Sequence, residues 1–149
     1  MNLDSKPFVV WLGETVDKAI VNLALQEEIN VLDIHKGIFL YLSLLSARKN
    51  YDSKKIMKIL DFVPYKSGLF SEFIEGALEE LRGYQDIYVI GKGERAKIRS
   101  SPKVKSMQEY RLDEDEQKVL KDLLPLTQWK WETKSLSEIE KMVTEGDKA

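Results

Sequence analysis

Apolar residues recur at helical spacing along most of the chain and predict six helices. Residues 38–45 (IFLYLSLL) are apolar on nearly every side, so they predict a central, buried helix. The predicted helices span about 15–28, 34–48, 54–61, 71–83, 113–125 and 135–146. Their candidate N-caps are Thr15, Asp33, Asp52 or Ser53, Ser71, Asp113 and Ser135, of which the last two begin capping boxes with Glu116 and Glu138.

One stretch departs from helical spacing, residues 86–105 (DIYVIGKGERAKIRSSPKVK). An apolar strand leads into a Gly-Lys-Gly turn, and a return strand follows. In the return strand two apolar residues alternate with three cations. Because successive side chains point to opposite faces of a strand, the apolar pair is expected to face the core and the cations to point outward together. The pattern predicts a basic β-hairpin at about 86–99, with Ala96 and Ile98 inward and Arg95, Lys97 and Arg99 outward.

The position of this hairpin, directly after a predicted helix, indicates the fold class. A helix followed by a hairpin with a charged wing is typical of winged-helix domains, so we predict a mostly α, winged-helix-like fold with one β-hairpin. The 149 residues suffice for a single domain with a substantial core. We divide it into a helical N-terminus (1–33), a winged-helix-like core (34–111) and a C-terminal helical pair (112–145).

The composition excludes several classes of chemistry. The sequence has no cysteine, so thiolate nucleophiles, disulfides and Cys-ligated zinc are impossible. The longest apolar block, 37–45, is too short to cross a bilayer, and the run at 8–12 lacks the flanks of a signal peptide. We therefore expect a cytoplasmic protein without membrane contact.

Charged residues are grouped along the chain, although the net charge is only −2. The successive blocks 1–35, 36–66, 67–90, 91–111 and 112–149 carry −4, +5, −4, +5 and −4. If the two cationic blocks shared one face, they would form an anion-binding surface on a mildly acidic protein. The alternative is that they form separate solvated faces.

The residues that usually carry catalysis are sparse in this sequence. His35 is the single histidine and lies beside the cap of a buried helix, so we interpret it as a packed residue; no serine and aspartate are placed to complete a triad. The acid-x-Lys spacings at 52–54 and 116–118 fall on predicted helices, whereas metal-dependent nucleases carry that motif on a strand. We predict a protein that is not an enzyme and uses no metal or cofactor.

Residues 34–145 contain a series of motifs in a recognisable order. Lys36 precedes an aliphatic and aromatic run to residue 45, and residues 62–81 (FVPYKSGLFSEFIEGALEEL), the hairpin, and two short helical segments at 112–124 and 135–143 follow. This order resembles the phage-associated Panacea and YwgA-type families. Their Gly-Pro-Tyr-Ser turn corresponds to residues 67–71 here, which keep the glycine, an aromatic residue and the capping serine. The resemblance implies a winged-helix-like domain with an interaction role, because Panacea-type members act as antitoxins against partner toxins. It implies no catalytic residues.

The basic hairpin is the first candidate binding site, with double-stranded DNA as the expected partner. Cations at alternate positions of a wing can straddle phosphates. The alternative is an ordinary solvent face, on which lysine and arginine also prevent edge-to-edge strand pairing. The predicted helix at 71–83 carries four glutamates, which repel phosphates and argue against base readout through that helix. The candidate DNA-binding residues are Lys92, Arg95, Lys97, Arg99, Lys103 and Lys105, extended by Lys54, Lys55 and Lys58.

The second hypothesis is a protein-binding module, an antitoxin or adaptor. It would use the acidic helix, through Glu72, Glu75 and Glu79, together with the segment that contains Trp129 and Trp131. Tryptophan is enriched in binding hot spots, although both rings could instead pack under the terminal helix. The partner would be a protein such as a toxin. For the first hypothesis, DNA binding through the wing as a small regulator or accessory factor, we expect the chain to form a homodimer.

Overall fold

The computed structural model describes residues 6–65 and 68–124 and confirms a mostly α fold with a β-hairpin. Five α-helices, five short strands and three 3-10 turns make up the described part. The helices are α1 (Lys6–Gln26), α2 (Val31–Lys49), α3 (Ser53–Leu60), α4 (Glu72–Gly83) and α5 (Glu114–Leu123). The strands are β1 (Ile29–Asn30), β2 (Val63–Tyr65), β3 (Gly68–Phe70), β4 (Ile87–Ile90) and β5 (Lys97–Ser100), and the 3-10 turns are Gly93–Arg95, Pro102–Ser106 and Gln108–Tyr110.

The predicted hairpin is the centre of an antiparallel three-stranded sheet with the order β1-β5-β4. Ile98 in β5 lies opposite both Ile29 and Val89. Strand β1 lies between α1 and α2 and pairs with the hairpin that follows α4. This connectivity is winged-helix-like. Strands β2 and β3 form a separate two-stranded ribbon. The expectation that strands occur in one place only was therefore wrong, because β1, β2 and β3 are two or three residues long, too short to show a period of two.

The first helix begins well before its predicted start. Thr15 does not cap it, because α1 already runs from Lys6, and the Thr15 hydroxyl donates to the carbonyl of Trp11 one turn earlier at 2.9 Å. The apolar run at 8–12 thus forms the first turns of the helix. Trp11 packs edge-on against Tyr51, with ring centroids 5.0 Å apart, which ties the start of α1 to the end of α2.

The central helix α2 is buried as predicted but is capped by a different residue. The Asn30 side chain accepts from the Leu32 amide at 2.9 Å, so Asn30, not Asp33, is the N-cap. Asp33 instead lies in the first turn, 3.7 Å from the Lys36 ammonium. The rings of Phe39 and Tyr41 are fully buried along this helix, and α1, α5 and β3 pack around it.

The other caps in the described residues are confirmed. Asp52 accepts from the amide of Lys55, and Ser71 accepts from the amide of Ile74 at 3.3 Å. Asp113 and Glu116 exchange both bonds of a capping box, at 2.8 and 2.9 Å. The predicted helix at 135–146 and the two C-terminal tryptophans lie outside the described residues.

Candidate nucleic-acid interface

The tip of the hairpin is a tight turn built on two glycines. Gly91 and Gly93 have φ angles of 88° and 64°, which residues with a side chain rarely adopt. Residues Gly93–Arg95 form a 3-10 turn closed by the bond from the Ala96 amide to the Gly93 carbonyl at 3.2 Å. Arg95 therefore belongs to the turn, and its predicted place on the return strand was wrong, because β5 begins only at Lys97.

The two faces of the hairpin alternate as predicted. From 95 to 100, exposed and buried residues follow one another without interruption. Arg95, Lys97 and Arg99 are exposed, while Ala96, Ile98 and Ser100 are buried. The Ser100 hydroxyl donates to the Val21 carbonyl at 2.6 Å, which anchors the inner face of the hairpin to α1. The predicted outward projection of the three cations is confirmed.

Among the side chains that the structure describes, no carboxylate forms an ion pair with Lys92, Arg95, Lys97 or Arg99. Lys103 differs, because its ammonium lies 3.1 Å from the Asp86 carboxylate and donates to the Tyr84 carbonyl. Asp86 is buried and also accepts from the Tyr110 hydroxyl at 2.6 Å. Lys103 is thus neutralised locally, whereas the other four cations are available to a ligand.

The outer face of the hairpin also carries two apolar side chains that the sequence analysis did not select. Tyr88 and Ile90 are 42% and 43% exposed. The register places Tyr88 opposite Arg99 and Ile90 opposite Lys97. Their inward neighbours on β4 are Ile87, which is buried, and Val89, which packs against the core. The period of two in β4 is the signal that would have identified them. We call Tyr88, Ile90, Lys97 and Arg99 the outer hairpin face.

The lysines of α3 lie elsewhere. Lys54 and Lys58 are exposed, and the Lys55 ammonium sits 4.9 Å from the centre of the Phe8 ring. These lysines follow the C-terminal end of α2. The hairpin contacts the N-terminal end of α2, where the amide of Val31 donates to the carbonyl of Ala96. A helix of 19 residues is about 28 Å long, so Lys54 and Lys55 are far from the wing.

Lys105 lies on the 3-10 turn after β5 and lines a groove between α1 and α5, with a volume of about 1160 Å³. It is exposed and, among the residues that the structure covers, forms no ion pair. The available cations therefore lie at the hairpin tip (Lys92 and Arg95) and on the outer hairpin face (Lys97 and Arg99). Lys105 lies outside this group, after the end of β5.

Helix α4 has an acidic surface, as its sequence predicts. Glu72, Glu79 and Glu80 are exposed, and the Glu75 carboxylate, whose side chain is 42% exposed, accepts from Nε2 of His35 at 3.2 Å. The acidic character extends to α1, where burial, followed by the charges of Glu80, Asp86 and Glu14, raises the pKa of Asp17 to about 7. This side of the molecule repels anions.

His35 is a structural residue, as interpreted from the sequence. Its buried ring stacks on Phe70, and its Nδ1 accepts from the Ser71 amide at 3.0 Å. Nε2 therefore carries the proton and donates to Glu75. The Ser71 hydroxyl donates to the Leu60 carbonyl at 2.6 Å, so it does not face the imidazole as a nucleophile would. These hydrogen bonds of His35 and Ser71, which we call the latch, join α2, α3 and α4. Burial lowers the pKa of His35 despite the nearby Glu75 carboxylate.

The described residues contain neither a metal-binding cluster nor a membrane-spanning helix. They contain no group of three or more His, Asp or Glu side chains arranged to hold a metal ion. None of the helices there is long and apolar enough to cross a membrane.

Comparisons with protein families, curated protein sequences and solved structures find no significant match for this chain. The resemblance to the Panacea and YwgA-type families therefore stays a prediction, and the candidate site must be judged on its own geometry.

Proposed function

We propose that this protein binds nucleic acid, with double-stranded DNA as the first ligand to test, and that it contacts the phosphate backbone through the wing. The observation that carries the proposal is the set of four cations at the hairpin tip and outer face, Lys92, Arg95, Lys97 and Arg99, which have no carboxylate partner in the described residues. Cations that lie on one hairpin and have no ion-pair partner can bind successive phosphates, because no existing ion pair has to be broken first.

The acidic surface of α4 limits the kind of binding. In a helix-turn-helix arrangement this helix would enter the major groove, but Glu72, Glu79 and Glu80 would then meet phosphates. Contacts to the backbone should therefore dominate, and sequence specificity should be low. Such a protein would act as a small regulator or accessory factor rather than as an enzyme.

The test is a salt titration of duplex binding by fluorescence anisotropy. Four phosphate contacts would give a slope of about −3 to −4 in a plot of log affinity against log salt, at roughly 0.9 for each contact. The variant Arg95→Gln/Lys97→Gln/Arg99→Gln should reduce that slope by about 2.7. The matched control Lys54→Gln/Lys58→Gln/Lys121→Gln removes the same charge from exposed positions elsewhere and should leave the slope nearly unchanged. A wing variant with the slope and affinity of the unmodified protein would reject the site.

A second candidate function is a protein-binding module that uses α4. The exposed Glu72, Glu79 and Glu80, of which Glu80 adds to the charge near Asp17, favour a basic partner such as a toxin. This function predicts a stoichiometric partner from the native host that is lost with Glu72→Gln/Glu79→Gln/Glu80→Gln and kept by the wing variant. Retention of DNA at low salt without any such partner would decide against it.

A further inference from the structure

The outer hairpin face combines two kinds of side chain, and phosphate binding explains only one of them. Lys97 and Arg99 are sufficient for contacts to a backbone. Tyr88 and Ile90 are also exposed there, although each could have been polar at no cost to the core, since the inner face is formed by Ile87 and Val89. An aromatic ring exposed beside cations suits a ligand with an apolar, planar surface.

The register brings the two kinds of side chain into contact distance of one ligand. Residues directly opposite in an antiparallel pair have Cβ atoms about 4.5–5.5 Å apart, which applies to Tyr88 with Arg99 and to Ile90 with Lys97. Among the described residues no other aromatic ring stacks on Tyr88. Its ring is therefore open to a ligand that the neighbouring cations hold.

The charge of this face selects among possible occupants. A second copy of the chain that packs through the same face about a two-fold axis would bring Lys97 and Arg99 close to the same cations, and like charges in opposed positions are destabilising. A fully paired duplex presents phosphates and base edges but keeps the faces of its bases stacked inside. A single strand presents phosphates and open base faces together, and aromatic side chains beside cations are the usual platform for it.

We propose that the outer hairpin face binds a single-stranded segment of nucleic acid, with Tyr88 stacked on an unpaired base and with Lys97 and Arg99 on the adjoining phosphates. The proposal rests on the proposed function and deepens it, because it names unpaired nucleic acid as the ligand that the sheet face recognises. Ile90 extends the apolar surface beside Tyr88.

The experiment compares a 20-nucleotide oligothymidine with a 20-base-pair duplex, each over a range of salt concentrations. Tyr88→Val keeps a residue that suits a strand and should weaken oligothymidine binding about tenfold, while duplex binding and both salt slopes stay unchanged, because stacking releases no counterions. Tyr88→Phe should restore the affinity. Tyr84→Val, which removes an exposed ring just before β4 and outside the paired strands, is the matched control and should have little effect.

The outcomes separate the two levels of the proposal. If the wing variant Arg95→Gln/Lys97→Gln/Arg99→Gln binds both ligands as tightly as the unmodified protein, the proposed function fails. If that variant weakens binding but Tyr88→Val does not weaken oligothymidine binding, only the assignment of single strands to this face is overturned. Equal losses of oligothymidine affinity for Tyr84→Val and Tyr88→Val would also overturn that assignment. So would a dimer that sedimentation velocity detects in the unmodified protein and that Tyr88→Val dissociates. Thermal unfolding verifies that each variant is folded.

Discussion

The imidazole of His35 makes the stability of this protein dependent on pH in a direction that the structure determines. Its Nδ1 accepts from the Ser71 amide, so protonation would replace an acceptor by a donor that faces another donor. Burial lowers its pKa from the ordinary value of 6.5, and the Glu75 carboxylate compensates only in part. In the unfolded chain the imidazole takes up a proton with its ordinary pKa of 6.5.

The sign of the effect follows from this difference in pKa. Below pH 6.5 the unfolded state binds a proton that the folded state does not, so acidification lowers the free energy of unfolding. While the folded imidazole stays neutral, each pH unit below 6.5 lowers the free energy of unfolding by up to about 1.4 kcal/mol. The stability that the neutral imidazole contributes is fully present above pH 6.5 and is lost as the pH falls toward the pKa of His35 in the folded state.

Asp17 opposes this effect over part of the same range. Its pKa is raised from 3.8 to about 7, so the folded state binds the extra proton and Asp17 favours folding as the pH falls from 7. Urea unfolding should therefore be measured between pH 5 and 8 in an Asp17→Asn background, where the His35 contribution is isolated from that of Asp17. Adding His35→Asn, which keeps an acceptor near the Ser71 amide but does not titrate, should flatten the remaining profile.

A direct assay is available because the chain has one histidine. The Cε1–Hε1 correlation in an NMR spectrum of ¹³C-labelled protein is a single peak, whose position reports protonation of His35 alone. We expect a titration midpoint below 6.5. A midpoint at or above 6.5, or a pH profile of stability that His35→Asn leaves unchanged, would refute this account of the latch.

Three further changes test the fold through its energetics. Asp17→Asn should stabilise the protein at pH 8, where the half-buried carboxylate is ionised, and much less at pH 5, as measured by urea unfolding. Ser71→Ala should cost about 1–2 kcal/mol, since it removes an N-cap and a buried bond to α3, whereas the exposed Ser53→Ala should stay within about 0.5 kcal/mol; equal costs would contradict the role of the cap. Gly93→Ala should destabilise by about 1 kcal/mol because of its positive φ, while Gly76→Ala in α4, with open space around its Cβ, should stabilise by about 0.5–1 kcal/mol; the same sign for both in thermal unfolding would contradict the turn geometry.

The features that local chemistry determines could be predicted from the sequence. The cap at Ser71 and the capping box at Asp113 depend on residues within one turn of each other, and both are present. The alternation that exposes Arg95, Lys97 and Arg99 depends only on the period of a strand, and it is present as well. In each case the signal and the structure lie in the same few residues.

The features that sequence reasoning missed depend on contacts between distant residues. β1 is a strand because Ile29 and Asn30 meet β5, almost 70 positions later in the sequence. Lys103 is paired with the buried Asp86, and Glu75 accepts a hydrogen bond from His35. Neither pairing is encoded by spacing, since the partners lie on different elements.

The distribution of charge constrains how a polyanion can approach. The acidic side formed by α1 and α4 carries exposed glutamates, whose charge adds to burial in raising the pKa of Asp17, so it repels phosphates. Lys97 and Arg99 lie on the outer face of a sheet whose edge strand packs against α4, so in the proposed function a bound strand would run along the hairpin and away from the helix. Because the net charge is −2, the chain as a whole does not attract a polyanion, so the binding that we propose would have to come from short contacts at the hairpin itself. An exposed ring at Tyr88 fits that requirement, because stacking adds affinity where few phosphates can be reached.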